Sequence, residues 1–169
     1  MEYTSSEANK LLKKLNQDLN TLRIIERQSS TFLAATGEDA EPVRPSYDYE
    51  KSTMEIKELC EKIRVVKHAI NVFNTTTIVP GFDITIDELL VFLPQLNERV
   101  DTLQGMISRL PKERERTFGQ GTNATIDYRY INYDLDVVRK DYEENADLLA
   151  KAQTALDLIN NTVKMDIPF

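Results

Sequence analysis

Cysteine, histidine and tryptophan are nearly missing from this sequence: Cys60 and His68 are the sole residues of their kinds, and there is no Trp among 169 residues. A lone cysteine excludes an internal disulfide and a multi-cysteine metal site, and it matches a reducing compartment. A lone histidine excludes a His-cluster metal site. Val65, not Glu, stands three positions before it, so the paired Glu-x-x-His motifs of di-metal helical proteins cannot be assembled. Glycine (5) and proline (6) are sparse, which leans the composition toward helix. No uncharged apolar run reaches the roughly 18 residues of a membrane-spanning helix. The start, MEYTSSEANK, lacks the basic and apolar regions of a secretory signal, so a cytoplasmic location is expected. A net charge of −7 disfavours general nucleic-acid binding and adhesion to anionic membranes.

What is present is a three-four rhythm of apolar residues. Tyr49, Ser52, Ile56, Leu59, Ile63, Val66, Ile70 and Phe73 wind one seam along a helix and ask for partner helices to cover it. Leu12, Leu15, Leu19 and Leu22 begin a second seam that Ile25, Ser29 and Phe32 extend toward Gly37. Leu89, Leu93, Leu96, Val100, Leu103, Ile107 and Leu110 form a third, opened by the capping box Thr85-x-x-Glu88, with Pro94 inside it. Leu135, Val138, Tyr142, Asn145, Leu149, Ala152, Leu156, Ile159 and Val163 form the fourth. Its one amide, Asn145, either selects register or faces water where the helices part.

These patterns predict a single, mainly α domain: an antiparallel four-helix bundle or helical hairpins with coiled-coil seams, plus a short antiparallel β element. The helices are expected at about 5–35, 49–74, 86–110 and 134–162. Residues 37–48 (GEDAEPVRPSYD) read as a connecting loop. The β element is expected to pair about 76–84, which turns at Pro80-Gly81, with about 125–132 of the alternating stretch TIDYRYINY (125–133). Ala69–Thr76 (AINVFNTT) echoes Ala155–Thr162 (ALDLINNT). Both segments lead into β-like tails, so two similar helical hairpins would gather those tails at one end.

No catalytic, cofactor or metal constellation emerges. His68 falls on a helix flank and Cys60 beside the seam, with Glu58 and Glu61 nearer to it than Lys62 and Arg64. Carboxylates fall mainly on solvent-facing positions. Gly119-Gln120-Gly121 lacks both the Walker lysine and the strand–helix context of a nucleotide loop. Asn74, Asn123 and Asn160 each head an Asn-x-Thr triplet, which without a secretion signal carries no meaning. Two features could carry function. Arg109, Lys112, Arg114 and Arg116 precede Tyr128, Tyr130 and Tyr133, a combination suited to phosphates or stacked bases, although Glu113 and Glu115 interleave. The bland alternative is a solvated loop and a strand that buries its tyrosines. The second feature is the set of apolar residues flanking the seams (Leu11, Ile24, Val65, Val72, Leu90, Phe92, Leu148), which widens them beyond one partner.

The order of parts resembles a family of uncharacterised bacterial coiled-coil proteins, some labelled septicolysin. The resemblance rests on the acidic Pro-containing loop GEDAEPVRPS, on Ile70-Asn71 and Asn74-Thr75, on the run Ile84–Leu90, on the 126–131 strand, and on Asn160-Asn161-Thr162. Asn161 replaces an aromatic of the pattern, a KMDIPF tail is added, and Pro94 interrupts the third helix. The family implies a small helical protein without an assigned biochemical role. Its label implies a cytolysin, but no amphipathic hairpin or membrane-length segment accompanies that implication here. A non-enzymatic protein acting through protein contact or self-association, with no cofactor, is the primary expectation. Phosphate or nucleic-acid binding at 109–116 and 126–133 is the alternative.

Overall fold

The computed structural model describes residues 1–115 and 127–168. Each helix starts where a side chain satisfies the free N–H groups of the first turn. Thr4 caps α1 (Ser5–Ser29) and Thr85 caps α3 (Ile86–Ile107), both as reciprocal capping boxes. The Thr4 and Thr85 backbone N–H groups each donate to the carboxylate of Glu7 or Glu88 at 2.8 Å. These bonds hold both carboxyls below the usual glutamate range. Asp48 caps α2 (Tyr49–Thr76) and Asp134 caps α4 (Leu135–Thr162).

Two helices are shorter than expected. α1 stops at Ser29 instead of near 35, because Ser29, Ser30 and Thr31 stand in a row where hydroxyls compete for the backbone. Phe32 leaves the seam and lies under the Arg44 guanidinium, 5.1 Å away. Gly37, at φ +87°, serves a turn in the linker and does not close the helix. α3 ends at Ile107 rather than Leu110, since Leu110 precedes Pro111 and is disfavoured in helix. Pro94 sits two turns into α3 and the helix runs on through it.

The β pairing differs from expectation. Residues 77–85 fold back on themselves through an Ile78–Thr85 bridge around a Val79–Phe82 turn, with Pro80 and Gly81 (φ +83°) at its centre. The tyrosine strand β3 (Tyr128–Tyr130) pairs instead with β2 (Lys112–Arg114), its neighbour across the connection from α3 to α4. The reason is distance: α3 places about 33 Å of helix between Thr85 and that connection. Residues 125 and 126 of the expected strand, and the Gly119-Gln120-Gly121 and Asn123 motifs, lie outside the described residues.

A second ribbon joins β1 (Glu2–Thr4) to β4 (Lys164–Asp166). It stands where the 77–85 turn stands in the other half: Thr4 opposite Lys164 matches Thr85 opposite Ile78. The C-cap amides of Thr77 and Val163 likewise donate to Phe73 and Ile159, equivalent residues of the sequence echo. The chain is thus built from two similar helical hairpins, α1–α2 and α3–α4, with their β-like ends gathered together.

That end holds the shared core, including Ala8, Val66, Ile70, Phe73, Val79, Ile86, Leu89, Ala152, Ile159, Met165 and Ile167. Away from it, packing is chiefly within each hairpin: Leu19, Leu96, Leu103 and Val138 are buried outside the shared cluster. Asn145 is half-buried and its amide donates to the Asp141 carbonyl of its own helix at 2.7 Å. The chain exposes 12697 Å². A compact monomer of its 19.4 kDa would expose about 8,500 Å².

Candidate functional site

The basic residues singled out in the sequence meet the tyrosine strand directly. In the β2–β3 ribbon Lys112 opposes Tyr130, Glu113 opposes Arg129 and Arg114 opposes Tyr128. Directly opposed residues share a face and faces alternate along a strand. One face therefore carries Lys112, Arg114, Tyr128 and Tyr130, while Glu113 and Arg129 take the other. The interleaved acid that would dilute the cations in sequence is removed to the opposite side.

Lys112 Nζ lies 4.2 Å from the Tyr128 ring centroid and 5.3 Å from that of Tyr130. Both rings are exposed, at 47% and 61%, so the expectation of buried tyrosines does not hold. Glu115 accepts from Arg129 Nε at 2.8 Å, which lowers the carboxyl's pKa and raises that of the guanidinium. Tyr133 moors the ribbon to the bundle by donating its hydroxyl to the Met106 carbonyl at 2.7 Å. Arg109 is exposed just beyond α3 and lines a hollow with Glu113, Arg129 and Tyr130. Arg116 lies outside the described residues.

The other isolated groups stay apart. His68 is exposed on α2 and Cys60 is half-buried. Among the described residues no three His, Cys, Asp or Glu side chains converge as a metal site, and no helix is long and apolar enough to cross a membrane.

A larger feature lies at the core end. Between the Pro80–Ile84 turn, α3 and α4 lies an open groove of about 980 Å³, lined by Phe82, Ile84, Phe92, Leu148, Ala155 and Leu158. Glu88 and Lys151 also line it. Phe92 and Leu148 stand out in the sequence as residues beyond the seams. Phe82 and Leu158 do not. The available signal for Leu158 was a second three-four stripe on α4, through Leu148, Lys151 and Ala155.

The equivalent position on the other hairpin carries a second hollow of about 460 Å³, lined by Val65, Ala69, Val72, Met165 and Pro168, with His68 and Asp166 beside them. In the sequence echo Val72 corresponds to Leu158 and Ala69 to Ala155.

No known family profile matches the chain, and no curated protein does. A crystal structure described as that of a functionally unknown conserved protein from Corynebacterium diphtheriae is similar in fold. Its TM-score is 0.58 at 13% identity, over 98% of this chain and 100% of the other. The likeness extends over both hairpins and concerns the fold alone.

Proposed function

We propose that this chain is a non-enzymatic helical protein that acts through protein contact, in the first place with its own copies. One observation carries this: large apolar side chains stand uncovered on the helices, among them Leu90 at 44% and Val137 at 58% exposed. Leu158 and Val91 are both 60% exposed. Paired-helix seams are also what membership in the uncharacterised coiled-coil family would require. A cytoplasmic setting suits the free thiol of Cys60. In sedimentation velocity at micromolar concentrations the protein is expected to sediment faster as concentration rises, as a reversible dimer. A strictly monomeric particle throughout, with no co-purifying partner, would count decisively against the proposal.

A second reading is favoured by the ribbon's register. A face with two cations and two exposed tyrosines suits single-stranded nucleic acid, the rings stacking on bases and the cations meeting phosphates. Weak, salt-sensitive binding of a labelled single-stranded oligonucleotide is expected, and Lys112→Ala with Arg114→Ala should remove it. Binding unchanged in that double variant dismisses this reading.

A further inference from the structure

We infer that the groove between α3, α4 and the Pro80–Ile84 turn is the face through which two copies of this chain pair about a two-fold axis. This rests on the self-association reading and gives it a location.

A two-fold interface brings one patch against itself, so the patch must be complementary to its own image. The groove meets that condition in charge. It carries one carboxylate, Glu88, and one ammonium, Lys151, on an otherwise mainly apolar lining. When two such patches meet, Lys151 of each copy can face Glu88 of the other, so that opposite charges pair twice. Glu88 accepts the Thr85 N–H at 2.8 Å, which lowers its pKa and fixes where the carboxylate sits on the rim.

It meets the condition in shape as well. Ala150, Ala155 and Gly81 leave low ground beside Leu158, which stands 60% exposed. A projecting leucine next to small residues can enter the image of its own hollow. Uncovered apolar side chains with few charges among them are typical of the centre of an interface.

The internal repeat supplies a comparison. The same architecture recurs on α2, where Val72 takes the place of Leu158, and there the hollow is less than half as large (about 460 against 980 Å³). Pro168 and Asp166 line that hollow where Phe82 and Pro80 line the groove. At this position the two hairpins thus differ in how much apolar volume they leave open, and the more open one is α3–α4.

The test compares Leu158→Glu with Val72→Glu. Both positions are exposed helix sites of the same structural class, at 60% and 45%, so neither substitution disturbs the core. Sedimentation velocity of the full chain should show Leu158→Glu raising the dimer dissociation constant by about 30-fold or more, as for loss of an interface anchor. Val72→Glu should dimerise like the parent. Lys151→Glu, which places acid against Glu88 of the other copy, should weaken association without touching the apolar lining and serves as the second variant if Leu158→Glu loses helical circular dichroism. Dimerisation unaffected by Leu158→Glu and Lys151→Glu in folded protein, or weakened equally by Val72→Glu, overturns the location while self-association stands. A parent protein that is monomeric throughout overturns both.

Discussion

Leu89→Ala is expected to lower the free energy of unfolding by about 2–5 kcal/mol, toward the upper part of the range for buried leucines. Leu89 is completely buried in the cluster to which Val66 and Ile70 of α2 and Ala152 and Ile159 of α4 also belong. Removing its isobutyl group leaves a cavity walled by several packed elements, and such walls close little. Leu103 is buried almost as fully, at 1%, but outside that cluster, farther along α3. There two helices can approach each other to fill part of the gap, so Leu103→Ala should cost less. Urea unfolding followed by circular dichroism checks the order. It must be run at one protein concentration, because the stability of a self-associating protein depends on concentration. Equal costs, or a larger cost at Leu103, would show that the shared core does not lie where the two hairpins meet.

Ile167→Asp should be more damaging still, by about 4 kcal/mol or more, as for an unpartnered buried charge. Ile167 lies in the extended tail after β4, alternating with exposed Asp166 and Pro168, and is 0% exposed. Its amide donates to the Met1 carbonyl at 2.9 Å, which seats the side chain in the shared core beside Met165. A carboxylate there must either shed its charge or pull the tail out, and the second course also releases the β1–β4 ribbon. Thermal denaturation should show a large loss of Tm or no cooperative transition. Asp166→Asn, one residue away, removes only an ion pair whose members are 70% and 74% exposed and should shift Tm little. If Ile167→Asp melts like the parent, the tail is not part of the core.

The tail is a useful measure of what the sequence disclosed. KMDIPF reads as β-like by its alternation, but its partner does not follow from alternation, because pairing Glu2–Thr4 with Lys164–Asp166 closes a loop of nearly the whole chain. The tyrosine strand shows the same limit from the other side. TIDYRYINY was legible as strand, and Pro80-Gly81 as turn. The two do not pair, because a helix of 22 residues keeps them apart. The end of α1 falls short of the seam because the apolar rhythm continues through Phe32, while three consecutive hydroxyl residues stop the helix at Ser29. At the ribbon, register moved Glu113 away from the cations, a sorting that reading residues in order could not supply.

By itself the sequence determined that there are four helices, the capping box at Thr85 that opens the third, the part of each seam that is buried (Leu15, Val66, Leu89 and Ile159 among them, although Tyr49 and Leu110 of the same seams are exposed), and the echo between two hairpins. All of these depend on interactions within a few residues or on a local period, which a linear string records. The partners of the strands, the confinement of the shared core to one end, and the apolar groove on α3–α4 with its smaller counterpart on α2 were decided by the tertiary structure. Each depends on which surfaces remain uncovered after the helices have packed, and that is a property of the whole arrangement in space.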